Sequence, residues 1–218
     1  MIQLFKPVMP VEDTLRRMRG VLESGWLGRG KLVEEFEEAV APWTKQKYFV
    51  ATSSCTAALH LALHLAGVRE DNVVLTPSIT FVSTPASVRY CGASPCFYAQ
   101  APETLPHWPS ASIIVHLGGS PVTPPDHPNV IEDCAHAFGS DLPPTNNLRC
   151  WSFNAVKNLS IGSGGGVSTN DEAIVKELKR LRWMGITKDT AARHEGAYAW
   201  DYDVPSLGSN YVMNDVQA

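Results

Sequence analysis

The sequence predicts an α/β protein, a three-layer sandwich in which helices cover both faces of a central, mostly parallel β-sheet. Two observations support this fold class. Short runs of β-forming residues alternate along the chain with stretches of helical periodicity, as in open α/β sheets. Several of these runs are also continuously apolar, which is typical of strands buried on both sides.

The elements follow from these patterns in chain order. The strands are predicted at residues 48–51, 73–76, 95–98, 112–116, 129–132, 149–153 and 165–169. The helices are predicted at residues 11–24, 32–41, 56–66, 84–91 and 171–183. Gly67 supplies a stop for the third helix, and Asn214 caps a further helix that opens close to the last residue, Ala218.

The composition limits the classes of function. With 218 residues, 44% of them hydrophobic and 18% charged, the chain is expected to be one soluble globular domain. A net charge of -4 argues against a nucleic-acid partner. Neither a secretory signal nor a membrane-spanning run is recognisable, and the five cysteines lack metal-ligand spacing. We therefore expect a cytoplasmic protein with reduced thiols.

Polar residues follow several predicted strands, and such strand ends meet at one edge of an α/β sheet. The first segment runs from a strand through Ser54 and Thr56 into a helix, an arrangement that can bind phosphate through backbone N–H groups. An ordinary helix cap is the alternative interpretation of these hydroxyls. Phe81 follows the next strand, where an aromatic ring can either stack on a flat ligand or pack in the core.

Two carboxylates and a histidine follow the fifth strand. Glu132 and Asp133 end this apolar run, and His136 comes three residues later. A carboxylate in this place can bind a metal ion, a ribose or a protonated ring nitrogen. The alternative is a capping Asp133 beside a histidine that only satisfies a structural hydrogen bond.

Lys157 lies just beyond the sixth strand, in a turn that leads through three glycines, 164 to 166, into the seventh strand. Neighbouring groups can lower the pKa of a lysine in such a place enough for it to act as a nucleophile. The glycines would let the backbone pass close to a bound ring. A solvated lysine in a hairpin is the alternative.

Taken in order, these segments resemble the DegT/StrS family of sugar-nucleotide aminotransferases, which are fold-type I enzymes dependent on pyridoxal phosphate (PLP). The resemblance extends over nearly the whole chain. The similar stretches are SGWLGRG (24–30), EEFE (34–37), SSCTAAL (53–59), PSITF (77–81), VHLG (115–118), EDCAH (132–136), SFNAVKN (152–158), LRWMGI (181–186) and NYVMND (210–215).

The resemblance implies a role for each matching residue. Lys157 is similar to the lysine that holds PLP covalently and moves the proton during catalysis. Asp133 is similar to the partner of the pyridine nitrogen, Phe81 to the aromatic residue that stacks on the ring, and His136 to a residue near the ring oxygen. The phosphate would be held by Cys55, Thr56, Ser152 and, from a second subunit, Asn210.

This assignment implies a homodimer with shared active sites and no metal. The reaction implied is transfer of an amino group from an amino acid, glutamate, to a keto sugar nucleotide, in the biosynthesis of amino sugars and cell-surface polysaccharides. Residues 1–218 would form the PLP-binding large domain, without the smaller carboxyl-terminal domain of such enzymes.

Some positions depart from the family pattern. Cys55 stands where glycine is usual, and its Cβ could crowd a phosphate. Ser163 replaces an acidic residue, and the connections between Pro95 and Arg149 are short. One alternative is therefore a non-catalytic remnant that acts as a binding partner. A second is a sugar dehydratase of the same family, although such enzymes have histidine in place of Lys157.

A nucleotide-binding oxidoreductase is a third alternative, because the sheet pattern alone would permit one. It requires a glycine-rich fingerprint between the first strand and helix, and Gly28-Arg-Gly30 lacks the third glycine.

Overall fold

The computed structural model describes residues 6–99, 109–187 and 202–218. Within these ranges seven strands form one sheet in the spatial order β1-β7-β6-β5-β4-β2-β3. The strands are β1 (Tyr48–Thr52), β2 (Val73–Pro77), β3 (Ser94–Tyr98), β4 (Ala111–Val115), β5 (Val130–Asp133), β6 (Leu148–Ser152) and β7 (Gly165–Thr169). Each predicted strand is confirmed, with ends that differ from the prediction by no more than about one residue.

The sheet is mostly parallel, as predicted. Parallel pairing joins β3 to β2, β2 to β4, β4 to β5 and β5 to β6. β7 runs antiparallel to both β6 and β1, so β1 points in the same direction as β6. The carboxyl ends of six strands and the start of β7 therefore lie at the same edge of the sheet.

In the described parts of the chain five α-helices accompany the sheet, namely α1 (Val11–Ser24), α2 (Lys31–Val40), α3 (Cys55–Leu65), α4 (Ser83–Tyr90) and α5 (Glu172–Leu181). Side-chain N-caps explain where α3 and α5 begin. Oγ of Ser54 accepts a hydrogen bond from Ala57 N at 3.1 Å, and Oδ1 of Asp171 accepts one from Ala173 N at 2.8 Å. Gly67 follows α3 with a φ of 79°, in agreement with its predicted role as a stop.

The predicted helix opening at Asn214 is a turn. Its cap is present, because Asn214 Oδ1 accepts a hydrogen bond from Gln217 N at 3.0 Å. Residues 215–217 have turn geometry and do not form a helix. An α-helix needs several consecutive hydrogen-bonded residues to offset its nucleation cost, and only this single turn is present.

Two apolar clusters separate the three layers. The first packs α3, α4 and α5 against side chains such as Val50 and Cys150 on one face of the sheet. The second packs α2 against Phe49, Trp151 and Phe153 on the opposite face. Because neighbouring strand residues point to opposite faces, Phe49 and Val50 belong to different clusters. This arrangement confirms the predicted three-layer sandwich.

A buried ion pair joins three of these elements. Glu37 on α2 accepts hydrogen bonds from Ala51 N of β1, at 2.9 Å, and from Arg182 Nη1 just beyond α5. The same guanidinium nitrogen also donates to the carbonyl oxygen of Ala51. Arg182 is 1% exposed, so this buried pair links α2 and the end of α5 to β1.

The connections around β4 and β5 are short. In the described residues 109–147 there is no α-helix, and a 3-10 turn at Leu117–Gly119 follows β4. Part of the proline-rich stretch, residues 100–108, lies outside the described residues. All five cysteines are free thiols, as expected. Among the described helices, none has both the length and the apolar character required to cross a bilayer.

Candidate active site

A cavity of about 370 Å³ opens at the edge of the sheet where the strands end. This volume lies within the range of small-molecule sites, about 300–1,000 Å³. The predicted site residues that line it are Cys55, Thr56, Phe81, Asp133, His136, Ser152 and Lys157. The parallel sheet brings together segments that are far apart in sequence, as the sequence predicts.

The amino-terminal turn of α3 borders the cavity with free donors. Ser54 caps the helix through Ala57 N, and its carbonyl accepts from Ala58 N. Among the described residues, the N–H groups of Cys55 and Thr56 have no acceptor. The positive end of the helix dipole lies at the same point, so this turn can hold an anion. Ser54 is therefore an ordinary cap, and an anion site remains next to it.

Asp133 is the buried acid of the cavity, with 3% of its surface exposed. Its Oδ1 accepts from Ala135 N at 3.1 Å, and its Oδ2 accepts from Thr84 Oγ1 at 2.9 Å. Burial raises the pKa of this carboxyl, whereas the hydrogen bonds from Ala135 and Thr84 oppose that rise. A positively charged ligand group beside Asp133 would offset the cost of burying its charge.

His136 lies across the cavity from α3 with a defined tautomer. Its Nδ1 accepts a hydrogen bond from Gly118 N at 3.2 Å, so the ring proton is on Nε2. Burial lowers the pKa of His136, and the positive charge of Lys157 lowers it further. At neutral pH this histidine is therefore an uncharged donor through Nε2.

Lys157 lies in the hairpin between β6 and β7. Backbone hydrogen bonds from Ala155 N to Gly162 O, and from Ile161 N to Phe153 O, close this hairpin. The lysine side chain is half-buried and lines the cavity. In the described part of the chain, its Nζ has no hydrogen bond or ion pair. The hairpin interpretation of this segment is correct, but Lys157 faces a binding site and carries an available amine.

Phe81 and Ser152 complete the wall. Phe81 is 71% exposed at the mouth, where one ring face is available to a flat ligand. Ser152 is buried at the end of β6, and its Oγ accepts from Asn154 N at 3.5 Å. Because the hydroxyl proton of Ser152 has no acceptor among the described residues, it can donate into the cavity.

The two unusual residues at the site differ in their surroundings. Cys55 is buried, and its Sγ lies 4.0 Å from Asp133 Oδ1. Burial and the negative charge of Asp133 raise the pKa of this thiol, so it stays protonated. Ser163 is exposed at the rim, and its hydroxyl donates to Ser53 O at 3.3 Å.

The three glycines have different functions. Gly164 lines the cavity, in agreement with the sequence interpretation. A Cβ on Gly165 would lie 2.3 Å from Cys55 N, and one on Gly166 would lie 2.1 Å from the Phe49 ring. These two glycines are required for packing of β7 inside the protein. The expectation that all three permit close approach to a ring is therefore wrong for Gly165 and Gly166.

Asn210 does not line the cavity of its own chain. It is exposed and forms an isolated antiparallel bridge with Trp183. A contribution of Asn210 to a cofactor site requires a second chain, as the resemblance implies.

Some site residues escaped the sequence interpretation. Thr80 and Thr84, four residues apart, form a hydroxyl pair below the cavity, with Thr84 in contact with Asp133. Their spacing of four residues, about one helical turn, is the one feature of the sequence that indicates that the two hydroxyls could meet. Gly118, which fixes the tautomer of His136, likewise gave no signal beyond its place in the VHLG stretch.

Glu132 has a structural role. It is fully buried and its Oε2 accepts from His116 Nε2 at 3.0 Å and from Arg149 Nε at 2.8 Å. Burial alone would raise the pKa of Glu132, but these hydrogen bonds and the charge of Arg149 lower it. His116, Glu132 and Cys134 are close enough to one another to share a metal ion. Both oxygens of Glu132, however, already accept from protein donors, Oε2 from His116 and Arg149 and Oε1 from Asn147.

Comparison with known proteins agrees with this geometry. The DegT/DnrJ/EryC1/StrS aminotransferase family matches residues 10–120 and 127–218. The chain is 32% identical, over 95% of its length, to the spore coat polysaccharide biosynthesis protein SpsC of Bacillus subtilis strain 168. It is also 29% identical, over 98% of its length, to protein MJ1066 of Methanocaldococcus jannaschii. It spans 59% and 61% of these two relatives.

Solved structures have the same fold. AtS13 from Actinomadura melliaura superimposes with a TM-score of 0.84 at 31% identity, covering 100% of this chain and 65% of AtS13. The sugar aminotransferase CalS13 from Micromonospora echinospora gives a TM-score of 0.79 at 30% identity, covering 100% of this chain and 66% of CalS13.

Proposed function

The chain belongs to the DegT/DnrJ/EryC1/StrS aminotransferase family, and we propose that it binds PLP at Lys157 and transfers an amino group to a keto sugar nucleotide. One observation carries this proposal. An amine without a partner, a buried carboxylate and free N–H groups at a helix start face the same cavity. These are the three kinds of group needed to hold an aldehyde, a protonated ring nitrogen and a phosphate.

The residues present fit PLP in their chemistry. The N–H groups of Cys55 and Thr56, which lack acceptors in the described part of the chain, would hold the phosphate together with the hydroxyl of Ser152. Asp133, whose charge is buried, would hold the ring nitrogen in its protonated form. Lys157 would attach the cofactor through Nζ, and Phe81 would cover one face of the ring.

When bound, PLP supplies an electron sink for the carbon that carries the amine. The protein supplies the groups that hold and move protons. Nζ of Lys157 would take a proton from the substrate carbon and return it elsewhere. His136, whose Nδ1 accepts from Gly118 N, would donate through Nε2, and the Asp133 carboxylate would hold the ring nitrogen in its protonated form. Val115 and Leu117 give the cavity an apolar wall on one side.

The substrates are inferred from relatives. CalS13 is described as a sugar aminotransferase, and SpsC as a protein of spore coat polysaccharide biosynthesis. We therefore propose a keto sugar nucleotide as acceptor, glutamate as donor, and amino-sugar or polysaccharide biosynthesis as the setting. A site open at its mouth, with Phe81 exposed, leaves room for a substrate larger than the cofactor.

We propose that residues 1–218 act as the PLP-binding domain, within a homodimer. Support comes from Asn210, which lies outside its own cavity, and from α1, where Val11, Leu15 and Leu22 are exposed. An exposed apolar stripe of this kind favours contact with another protein surface. The five free thiols favour the reducing cytoplasm. A net charge of -4 favours neither a nucleic acid nor an anionic membrane as partner.

Amino transfer can be tested in its two halves. The purified chain is loaded with PLP and mixed with glutamate alone, and the release of 2-oxoglutarate is measured in a single turnover. A keto sugar nucleotide should then regenerate the starting spectrum. Lys157→Ala should abolish both halves, whereas Lys176→Ala, which removes an exposed lysine on α5, should abolish neither.

A non-catalytic PLP-fold protein is the second candidate, and Cys55 at the phosphate turn favours it. Such a protein would remain colourless with PLP and release no 2-oxoglutarate. Cys55→Gly separates the two possibilities further. If the thiol only crowds the phosphate, this variant should bind PLP more tightly than the natural chain.

A further inference from the structure

A pair of threonine hydroxyls lies beneath the cavity, next to its buried acid. Thr84 is fully buried in the first turn of α4, and its Oγ1 lies 2.9 Å from Asp133 Oδ2. The Oγ1 of Thr80, which lines the cavity, lies 2.8 Å from Thr84 Oγ1. The three groups form a continuous chain of hydrogen bonds from the cavity wall to the carboxylate.

The direction of this chain follows from the number of protons. A carboxylate only accepts hydrogen bonds, so Thr84 donates its single hydroxyl proton to Asp133. The oxygen of Thr84 then accepts from Thr80. Because Thr80 directly precedes Phe81, the chain also ties the segment carrying the exposed ring to the acid at the bottom of the cavity.

We propose that Thr84 is a positioning residue that fixes the Asp133 carboxylate in its ionised form and its orientation toward the cavity, with Thr80 as the donor that fixes Thr84. This inference rests on the proposed function, since it assigns Asp133 to the cofactor ring. The hydrogen bond from Thr84 matters because each oxygen of Asp133 depends on a different donor. Oδ1 accepts from Ala135 N, and in the described residues Oδ2 has no protein donor other than Thr84.

Other groups around Asp133 also influence its charge. Burial disfavours the carboxylate, and each hydrogen bond to it has the opposite effect. The titratable groups that face it from the surrounding elements are Cys55 on α3, Cys134 and His136 after β5, Cys150 on β6 and Lys157 in the hairpin. Thr84 is an uncharged donor, so removal of its hydroxyl takes one hydrogen bond from Asp133 and changes no charge.

The test is the titration of Asp133, followed by carboxyl carbon NMR in the chain before PLP is added. Thr84→Val should move the pKa of Asp133 to higher pH, because the ionised form loses a donor. Thr84→Ser should restore the natural titration. Ser87→Ala is the matched control, since Ser87 is an equally buried hydroxyl on α4 that donates to Thr84 O, at 2.7 Å, and does not touch Asp133.

PLP affinity gives the second measurement. Thr84→Val should weaken PLP binding about tenfold, because a hydrogen bond to a charged group is lost, and Ser87→Ala should leave binding unchanged. Thr80 is less buried than Thr84, and Thr80→Val should raise the pKa of Asp133 by less than Thr84→Val does. An unchanged Asp133 titration in both Thr80→Val and Thr84→Val would overturn the inference, as would equal shifts in Thr84→Val and Ser87→Ala.

These outcomes separate the inference from the proposed function. A shifted titration in a chain that binds no PLP would contradict the proposed function and leave the Thr84 contact in place. Normal PLP binding and amino transfer in Thr84→Val, with no shift in titration, would contradict the positioning role alone.

Discussion

At the scale of single residues, the surroundings decide what each group in the cavity can do. Asp133, His136 and Lys157 all approach the same space, yet each is held differently. Asp133 is buried with donors on both oxygens, His136 is fixed as an uncharged Nε2 donor, and Lys157 has an amine without a partner in the described chain. A buried hydrogen-bond acceptor, an uncharged donor and an amine without a partner among the described residues thus result from three local environments.

The raised pKa of Asp133 predicts an unusual effect on stability. A carboxyl whose pKa is higher in the folded state stabilises the fold fully at pH values below its usual pKa of about 3.9. This contribution is lost as the pH rises through the raised value. At neutral pH the ionised Asp133 therefore destabilises the chain in the absence of PLP.

Asp133→Asn should accordingly raise the melting temperature of the cofactor-free chain at pH 7 and weaken PLP binding. The stabilisation should shrink as the pH falls through the titration of Asp133, which scanning calorimetry at several pH values can follow. A variant less stable than the natural chain at every pH would contradict this prediction and show that the hydrogen bonds from Thr84 and Ala135 outweigh the cost of burial.

His136 gives a prediction for the pH dependence of activity. Its pKa lies below the ordinary value of about 6.5, so the neutral form persists into mildly acidic solution. The acid limb of the rate profile due to His136 should therefore lie below pH 6.5. His136→Gln keeps a donor and cannot titrate, so this limb should disappear while activity at pH 7 falls by less than about tenfold. A limb that persists in His136→Gln belongs to another group.

At the scale of elements, the sequence predicts where helices and strands lie better than it predicts which side chains touch. Continuous apolar runs and helix caps such as Asp171 give the strands and helices to within about two residues. The order of strands was not predictable, because a run such as 165–169 contains no signal that it inserts between β1 and β6 as an antiparallel strand. The turn at Asn214 shows the same limit, since a cap can form without a helix.

The buried ion pair between Glu37 and Arg182 should contribute strongly to the stability of the fold, because it links α2, β1 and the end of α5. Arg182→Met leaves Glu37 buried without its bonded cation, although Lys179, at 3.8 Å, and the charge of Arg29 remain nearby. We expect a loss of about 3 kcal/mol or more in the free energy of unfolding, measured by urea denaturation. Lys176→Met, which breaks the exposed pair with Glu172 on α5, should cost less than about 0.5 kcal/mol. Comparable losses in the two variants would contradict the structural role of Arg182.

At the scale of the whole molecule, the fold brings distant segments to one edge, and this convergence was predictable. The sequence placed Thr56, Phe81, Asp133, Ser152 and Lys157 at strand ends, and the structure places all of them around one cavity. The sequence could not reveal the hydrogen bond between Thr80 and Thr84 or the one between Gly118 N and His136. Such contacts depend on side-chain directions across elements, which periodicity does not specify.

The proposed dimer with shared active sites predicts complementation between two inactive variants. Asn210→Ala and Lys157→Ala chains should each fail to transfer amino groups, because one lacks a phosphate contact from its partner and the other lacks the amine. A refolded mixture of the two should regain up to about one quarter of natural activity, since half of the dimers are mixed and each mixed dimer contains one complete site. Each variant refolded alone provides the control. Absence of any gain, in mixtures shown to contain mixed dimers, would contradict shared sites.

Chemical trapping tests directly whether Lys157 holds the cofactor, as we propose. The chain is incubated with PLP, treated with borohydride and digested, and its peptides are analysed by mass spectrometry. We expect a visible absorption band that borohydride removes, with the added mass of the reduced cofactor on the peptide that contains Lys157. A chain that takes up no PLP, or one labelled on a different lysine with Lys157 unmodified, would contradict it.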